Sequence, residues 1–491
     1  MGTSVIMETK KESKMPQSTQ ESSQLTKLLL TISLASFATP LISSGVNIAL
    51  PFISSDFAIP ASQIGWVQTS FLMPYAIFLF PFGKISDRIG KEKIFMVGIF
   101  CQFTGFLIAG LSISLPMLLI GMALGGFGSA QVFSVAVPLL TVNFPRHMRG
   151  KVLGINTAVI YTGLAIGPFI GGILISTLEW HSIFWILLPA TAAALALSLS
   201  VIPTLPKTVV SQGWNSFDRF GTITYIIAAS FVLIGISRIS EGSYARIMLG
   251  VGLCITVFFL WRELKHPDPL FPINIFNENK LFRNSALAAL INYGSSFAVT
   301  LLLSFYLQNV RGFTSIAAGT ILVAQPLIMA VLTPFTGKLS DRMDPRILTT
   351  SGMAMTTIAL FAFSFLTKTT PIWSIVCTLL FLGCGYAFFS SPNMNSIMSS
   401  VPDNQAGIAS ATAGSMRVFG QVVSITTVTV IFSTVLGSVV ISTEIADTLL
   451  RALSMVFLVL GLLCTVGVWF SYARGKSNSY EDVHNIFQNV K

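Results

Sequence analysis

Charged side chains are scarce in this sequence. They make up 10% of its 491 residues, whereas 53% of the residues are hydrophobic. A water-soluble chain of ordinary composition carries roughly 25% charged residues. Here the charges gather in short clusters between apolar runs of about 20 residues, the length that crosses the hydrocarbon core of a bilayer. The composition therefore excludes an ordinary soluble protein and indicates a polytopic membrane protein.

The sequence also lacks the features of a cleavable signal peptide. Its start is rich in Ser, Gln, Lys and Glu, and no apolar segment occurs before Leu28. We therefore expect residues 1–26 to form a polar tail that stays in the cytoplasm ahead of the first membrane span.

Residues for metal or covalent chemistry are few and scattered. None of the five cysteines has metal-ligand spacing, and all of them lie within apolar runs: Cys101, Cys254, Cys377, Cys384 and Cys464. No Gly-x-x-x-x-Gly-Lys-Ser/Thr loop is present, which argues against an ATP-driven pump. The apolar runs hold no cluster of His, Asp, Glu, Ser or Cys at one membrane depth. We therefore expect no metal, no cofactor, no disulfide framework and no enzyme.

About fourteen apolar runs are long enough to span a membrane. They cover residues 28–50, 65–82, 94–113, 115–140, 153–175, 182–202, 220–237, 246–262, 285–308, 317–336, 347–366, 372–395, 406–433 and 452–472. With this assignment 23 of the 29 Lys and Arg residues fall on one side of the membrane, as expected for the cytoplasmic side. The sequence therefore predicts an all-α integral membrane protein with both termini in the cytoplasm. The net charge of +10 belongs to loops beside spans, so nucleic acid is not an expected partner.

An internal repeat divides the chain. The segment 81–88, Pro-Phe-Gly-Lys-Ile-Ser-Asp-Arg, returns at 334–342 as Pro-Phe-Thr-Gly-Lys-Leu-Ser-Asp-Arg, each time at the end of a second span. This repeat predicts two pseudo-symmetric six-helix bundles, with a binding site at their interface near the bilayer midplane. The predicted units are a tail (1–26), a first bundle (27–203), a two-helix insert with linkers (204–284), a second bundle (285–472) and a tail (473–491).

The loop at 83–93 closely resembles the loop signature of the major facilitator superfamily. The resemblance implies a conformational latch that holds the cytoplasmic ends of the bundles together when the outside is open. Glycines at the loop would permit a tight turn, and Asp87 would accept hydrogen bonds from a helix N-terminus. The latch residues in the two copies are Gly83, Asp87, Arg88, Gly90, Gly337, Asp341 and Arg342. The alternative is an ordinary positive-inside loop, which leaves the repeated aspartate unexplained.

The fifth span resembles the signature that marks exporters in this superfamily. It carries small residues four positions apart, which allow close helix packing, and a proline that can bend the helix. The predicted gate residues are Gly163, Gly167, Pro168, Gly171 and Gly172. The segments 46–51, 66–72, 407–410 and 417–420 are similar to the fourteen-span drug:proton antiporter branch, so the resemblance runs from about residue 28 to 472. It implies export of small amphipathic or lipophilic molecules from the cytoplasm by a monomer. Because the sequence carries no organelle signal, we expect the plasma membrane of a prokaryote.

The sequence departs from proton-coupled relatives at two positions. Ile42 stands where they usually carry an acid in the first span, and Met122 replaces an arginine of the fourth span. All nineteen Asp and Glu residues fall in tails, loops or span ends, so no carboxylate is expected to be buried. His181, at the end of a span, is the nearest titratable candidate, with an interfacial anchor as its alternative. The coupling ion, whether proton or sodium, therefore stays open, and an uncoupled facilitator or a specific solute exporter is an alternative. A receptor is a more distant one.

Arg417 is the one charge assigned to the middle of a span. A charge there normally faces a cavity or a partner, although it can instead reach back to the interface. The resemblance implies that polar residues in the first, fourth and fifth spans of each half line the central cavity. The predicted cavity residues are Asn47, Gln131, Asn156, Tyr161, Asn292, Asn395 and Arg417. Because no acid accompanies Arg417, the expected substrates are neutral or anionic.

Overall fold

The computed structural model describes residues 19–204, 218–239, 242–266, 270, 273–340, 342–401, 406–437, 439, 441 and 445–475. Within these ranges 14 helices are long and apolar enough to cross a membrane. This number confirms the fourteen spans predicted from the apolar runs. Because the number is even, α1 begins and α14 ends on the same side of the membrane, which we call the terminal side.

The helices follow one another through short connections. The first six are α1 (Thr19–Asp56), α2 (Gly65–Ile89), α3 (Lys91–Gly110), α4 (Leu115–Asn143), α5 (Arg146–Leu178) and α6 (Ser182–Trp185, then Leu187–Val201). The next two are α7 (Arg219–Ser237) and α8 (Ser243–Glu263). The last six are α9 (Lys280–Ser296, Val299–Phe305 and a π-helical turn at Tyr306–Val310), α10 (Ser315–Leu322, then Ala324–Ser340), α11 (Pro345–Ser364), α12 (Ile372–Ser399), α13 (Ala406–Val435) and α14 (Ala446–Tyr472). A short helix, Ile273–Glu278, precedes α9.

The two groups of six helices pack in the same way. In the first half α1 packs on α5 and α6, and α4 packs on α2 and α3. The equivalent pairs in the second half are α9 with α13 and α14, and α12 with α10 and α11. This correspondence is the two-bundle arrangement that the repeat predicts. The boundaries assigned to the five predicted units remain a prediction.

Glycine pairs bring equivalent helices close in each half. A Cβ atom at Gly105 of α3 would lie 2.3 Å from the backbone nitrogen of Gly125 in α4. In the second half, a Cβ atom at Gly352 of α11 would lie 2.5 Å from the carbonyl oxygen of Gly385 in α12. Real Cβ contacts are not that short, so any larger residue would force these helices apart. In lipid, such close backbone packing supplies much of the attraction between helices.

Two seams join the halves. At one seam α5 packs on α10, and at the other α2 packs on α13. The insert of α7 and α8 covers the second seam, because α7 contacts both α2 and α13. Tyr225 of α7 lies 6.3 Å from Phe80 of α2 between ring centroids, and the Ser237 hydroxyl lies 3.5 Å from that of Thr426 in α13. The two extra helices therefore bridge the halves as well as separating them in sequence.

An ion pair ties α7 to α8 on the terminal side. Asp218 caps the start of α7 by accepting a hydrogen bond of 2.7 Å from the Gly221 backbone, and its carboxylate pairs with Arg262 of α8. Burial raises the pKa of Asp218, but the hydrogen bonds from Arg262 and Gly221 outweigh this effect and hold the pKa below its usual range. Asp218 is 8% exposed and Glu263 is 1% exposed. The expectation that no carboxylate is buried is therefore wrong at these helix ends, where the cap and Arg262 compensate the charge of Asp218 and Glu263 lies 3.9 Å from Arg262.

Candidate substrate site between the two halves

Arg417 lies in the middle of α13 and points toward the first half. It follows the start of the helix by about 16 Å at 1.5 Å per residue. Its Nη2 atom donates a hydrogen bond of 3.4 Å to the hydroxyl of Tyr75 in α2, and its guanidinium carbon lies 5.7 Å from the ring centroid of Phe133 in α4. The side chain is half-buried. These contacts favour the cavity-facing alternative over one in which Arg417 reaches back to the membrane surface.

Tyrosines from both halves surround this guanidinium. Tyr75, Tyr161 and Tyr293 are close enough to interact electrostatically with the Arg417 charge. Tyr161 of α5 shares a hydrogen bond of 2.8 Å with Ser390 of α12. Tyr293 of α9 packs edge-on against the ring of Tyr386, also in α12, with 5.5 Å between centroids. We call this group the Arg417 cluster; its members are Tyr75, Phe133, Tyr161, Tyr293, Tyr386, Ser390 and Arg417.

The electrostatics of the cluster are one-sided. Among the residues that the structure describes, Arg417 makes no ion pair, and the groups that interact with its charge are phenols. A cation inside a membrane is costly unless a cavity, a partner or water compensates it. Aromatic faces supply part of that compensation, since ring quadrupoles attract cations. The arrangement suits an electron-rich or anionic molecule between the halves.

Two of the seven predicted cavity residues belong to the Arg417 cluster, namely Tyr161 and Arg417. Asn47 and Asn156 are buried, and each has a side-chain oxygen without a hydrogen-bond partner. Asn292 is fully buried, and neither polar atom of its side chain has a partner. Unpaired buried amides are unusual and suit a site that a ligand or water completes.

The remaining two cavity candidates face other groups. Gln131 of α4 turns toward α3, where its Nε2 atom lies 3.9 Å from the sulfur of Cys101. Asn395 of α12 donates a hydrogen bond of 2.5 Å to the hydroxyl of Ser340 at the end of α10. The structure does not bring these two into the Arg417 cluster. Their assignment to the cavity remains a prediction.

Sequence reasoning did not select three tyrosines of the cluster, namely Tyr75, Tyr293 and Tyr386. Tyrosine is enriched at the ends of membrane helices, where it anchors the interface. These three lie well inside α2, α9 and α12. A tyrosine near the centre of a span was therefore the signal that could have identified them.

The glycines of the predicted gate helix, α5, make two different kinds of contact. Gly163 and Gly167 pack against α1, where an added Cβ atom would lie 2.9 Å from the Phe37 carbonyl oxygen and would overlap the Ser44 side chain. Gly172 instead faces the second half: a Cβ atom there would lie 2.5 Å from the carbonyl oxygen of Ser315 in α10. The Ser315 hydroxyl also donates to the Gly172 carbonyl at 3.2 Å.

The neighbouring gate residues continue this pattern. Gly171 faces Gly45 of α1, whereas the carbonyl oxygen of Pro168 would lie 2.4 Å from a Cβ atom at Gly319 of α10. The halves therefore touch backbone to backbone where α5 meets α10, in the part of the membrane away from the terminal side. A gate at this contact remains a prediction.

In the predicted latch loop the chain turns at Gly90 and not at Gly83. Gly90 has φ +99°, a conformation that favours glycine, and it links α2 to α3. Gly83 lies inside α2, so the expectation of a turn there is wrong: α2 continues to Ile89. Asp87 pairs with Lys91, the first residue of α3, at 2.8 Å, and Arg88 is buried nearby.

In the second copy of the latch, Gly337 faces α12. A Cβ atom at that glycine would lie 2.9 Å from the hydroxyl oxygen of Ser391. Arg342 is exposed. Asp341 lies outside the described residues. A latch between the bundles stays a prediction.

The positions where relatives carry coupling charges are apolar and closed. Ile42 and Met122 are both fully buried. The polar network nearby is neutral: the Gln102 amide donates to the hydroxyls of Thr39 and Ser129 at 3.0 Å each. No group of three His, Cys, Asp or Glu residues in the described ranges could hold a metal ion.

His181 directly precedes the first residue of α6 and is held in place by its neighbours. Its ring stacks on Trp180 with 3.6 Å between centroids, and its Nε2 atom lies 3.0 Å from the carbonyl oxygen of Ser112. The Trp180 ring nitrogen donates a hydrogen bond of 3.0 Å to the carboxylate of Asp56. These contacts favour the anchoring alternative for His181 over a role as proton carrier.

The described residues form fourteen spans in two similarly packed halves, with a polar site at their junction. These features define a membrane transporter of the two-bundle type. Residues 32–425 match the model of the Major Facilitator Superfamily, and the chain belongs to this superfamily. The family and the relatives below are transporters rather than enzymes. The expected family is therefore confirmed.

Named relatives include transporters of different compounds. The chain is 29% identical to the riboflavin transporter RibZ of Clostridioides difficile (strain 630), over 79% of this chain and 84% of that protein. It is 28% identical to the tetracenomycin C resistance and export protein of Streptomyces glaucescens, over 78% of this chain and 71% of that protein. The relatives support a place in the drug-efflux-like part of the superfamily.

A solved structure shares the fold. The crystal structure of an auto-inhibited POT family peptide transporter matches with a TM-score of 0.68 and 15% sequence identity. The match covers 92% of this chain and 96% of that one. At this level of identity the comparison supports the fold and gives no information about the substrate.

Proposed function

We propose that this protein exports small amphipathic molecules by alternating access, driven by an ion gradient across a plasma membrane. The observation that carries the proposal is the Arg417 cluster, in which residues of both halves meet around one half-buried charge. A site shared by two bundles is exposed to each side in turn when the bundles rock against each other. The relative named as a tetracenomycin C resistance and export protein supports the direction.

The proposal includes an orientation and a gating scheme. Both termini lie in the cytoplasm, as the distribution of Lys and Arg indicates. The contact between Gly172 and Ser315 then belongs to the outer gate, and the loop around Asp87 to the inner one. Substrate enters from the cytoplasm when the inner gate is open and leaves when the outer contact separates.

An uncoupled facilitator is the second candidate. It is favoured by the burial of Ile42 and Met122 where relatives carry charges, and by the neutral network around Gln102. A proton-driven antiporter needs a group that gains and loses a proton as the site alternates. The buried Asp218 and Glu263 lie at helix ends near the terminal side, so they are not in the Arg417 cluster.

One reconstitution experiment separates these candidates. The purified protein is placed in liposomes of phosphatidylcholine that contain a pH-sensitive dye, and a panel of neutral, anionic and cationic amphiphiles is added. Compound movement with a matching proton or sodium flux supports coupled export. Compound movement without either flux establishes the facilitator. If no compound moves faster than in protein-free liposomes, the proposed function is wrong.

A further inference from the structure

We infer that the Arg417 cluster selects flat aromatic anions, such as aryl sulfonates, aryl carboxylates and acidic phenols. The inference rests on the proposed function, since it names the substrate class of that same site. It follows from three properties of the cluster. The Arg417 guanidinium has N–H donors without acceptors, no acidic group among the described residues faces it, and each half contributes a pair of aromatic rings.

The guanidinium of Arg417 has more donors than the protein uses. An arginine carries five N–H donors in a planar fork that matches two oxygens of one anion. In the described part of the chain, its hydrogen-bond acceptor is the Tyr75 hydroxyl, at the long distance of 3.4 Å. Because the half-buried side chain reaches Tyr75 of the other half from the middle of α13, its remaining donors lie at the junction of the halves. An anionic group in that space would receive charge-assisted hydrogen bonds.

The charges around the site reject cations. Six helices contribute the cluster, and the groups facing Arg417 from α2, α4, α5, α9 and α12 are phenols, a phenyl ring and a hydroxyl. A cationic substrate would therefore meet one fixed positive charge without a compensating carboxylate. Like charges a few ångströms apart repel each other more strongly in a low-dielectric site than in water. Cation export would need an acid that the cluster does not have.

The aromatic side chains form two pairs, one from each half. Tyr75 and Phe133 of the first half lie 5.6 Å apart between centroids, and Tyr293 and Tyr386 of the second half lie 5.5 Å apart. Arg417 contacts the first pair and interacts electrostatically with the second. A flat ring bound beside Arg417 would contact rings of both halves. The hydroxyls of Tyr161 and Ser390 bond to each other, and their remaining lone pairs can accept a hydrogen bond from a polar substituent.

A matched set of three probes tests the inference by binding. Naphthalene-2-sulfonate, naphthalene-2-sulfonamide and trimethyl-2-naphthylammonium share one ring system and differ in charge. Their dissociation constants are measured by calorimetry on the purified full chain in nanodiscs of phosphatidylcholine. We expect the sulfonate to bind at least about tenfold more tightly than the sulfonamide, as one charged hydrogen-bonded group would give. The cation should bind most weakly.

Variants assign the preference to Arg417. Arg417→Gln should weaken sulfonate binding about tenfold or more and change sulfonamide binding by less than roughly twofold. Arg417→Lys should retain part of the preference, because it keeps the charge and loses the planar fork. Arg451→Gln is the matched control, since Arg451 is exposed near the start of α14. Tyr293→Leu should weaken binding of all three probes, and it keeps the test informative if Arg417→Gln fails to fold.

Defined outcomes overturn the inference. If the sulfonamide or the cation binds the wild-type protein as tightly as the sulfonate, or none of the three binds, the inference is wrong. An unchanged sulfonate constant in Arg417→Gln also contradicts it. Transport of the same probes in liposomes distinguishes this failure from failure of the proposed function. Cation or sulfonamide transport without sulfonate preference refutes the substrate class alone, whereas sulfonate binding at Arg417 without transport of any probe refutes export alone.

Discussion

Tyr161 of α5 and Ser390 of α12 share a hydrogen bond of 2.8 Å between their hydroxyl oxygens, although they lie 229 positions apart in the chain. One residue belongs to each half of the transporter. The bond therefore stabilises the conformation described here and must break when the halves separate at this level. It sits beside Arg417, so the substrate site and the contact between the halves share residues.

Tyr161→Phe should shift the conformational equilibrium away from this state. The change removes the hydroxyl and keeps the ring, and a net hydrogen bond is worth about 1 kcal/mol, which is roughly fivefold in population. Spin labels at Ile155 and Phe335, both exposed at the terminal-side ends of α5 and α10, would report a larger separated population. The labels are placed in a variant without the five native cysteines. Tyr472→Phe, at the exposed end of α14, is the control, and identical distance distributions in both variants would refute the assignment.

Gly172→Leu should block closure of α5 on α10. An added Cβ atom would lie 2.5 Å from the Ser315 carbonyl oxygen, and backbone cannot yield as a flexible side chain can. Gly154→Leu is the matched control in the same helix, because a Cβ atom there would meet no atom within 4 Å. We expect export in liposomes to fall more than about tenfold for Gly172→Leu, with little change for Gly154→Leu. Equal activity of the two variants would contradict a gate at this contact.

Asp87 and Lys91 offer a test of the predicted latch. Their ion pair joins exposed or half-buried groups at i and i+4, a geometry worth about 0.3–0.5 kcal/mol. If Asp87 acts only through this pair, Asp87→Asn and Lys91→Gln should have equal, small effects on export. A latch that uses the carboxylate in another conformation predicts that Asp87→Asn slows export far more than Lys91→Gln. Initial export rates in liposomes, normalised to the amount of protein, decide between the two.

Asp218 should contribute to stability through its cap and its pair with Arg262. Asparagine caps a helix as well as aspartate does, so Asp218→Asn keeps the bond to Gly221 and removes the charge paired with Arg262. A hydrogen bond to a charged group is worth about 1.5–3 kcal/mol, so the change should lower the midpoint of thermal unfolding in detergent. Asp447→Asn is the control, because its pair with Lys368 is largely exposed. A midpoint lowered equally by both changes would argue against a special role for Asp218.

The same pair has a predictable pH dependence. The pKa of folded Asp218 is lower than usual, so its contribution is complete above the unfolded value of about 3.9 and disappears as the pH falls through the folded value. The difference in unfolding midpoint between wild type and Asp218→Asn should therefore be constant from pH 7 to about pH 5. It should shrink only in stronger acid. If the difference in unfolding midpoint instead disappears near pH 6, a group other than Asp218 is responsible for it.

Sequence patterns predicted the spans well because apolar length is a direct requirement of the bilayer. They did not predict the interruptions in α6, α9 and α10, where the helix changes geometry without ending the span. The π-helical turn at Tyr306–Val310 is an example, since its sequence carries no Gly or Pro. Hydrophobicity determines where a helix lies in the membrane, whereas packing determines its local helical geometry.

The site was harder to predict than the fold. Arg417 was identifiable because a mid-span charge is rare, but its neighbours depend on which faces of α2, α9 and α12 turn inward. From the sequence alone, an aromatic residue in these spans is equally compatible with facing lipid, packing against a helix or lining a cavity. Tyr293 and Tyr386 became recognisable only through their contact with each other and their proximity to Arg417. The corrections at Gly83 and Asp218 have a similar origin, because helix ends shift by a few residues without changing hydropathy.

The most direct test of alternating access measures both ends of the α5–α10 seam in one protein. Spin-label pairs at Leu178 with Ile316 and at Ile155 with Phe335 use exposed positions on the same two helices, at opposite sides of the membrane. Distances are recorded in nanodiscs with and without naphthalene-2-sulfonate and with the Gly172→Leu variant. The account predicts that one distance lengthens whenever the other shortens. Distances that change together, or that stay fixed in every condition, would contradict it.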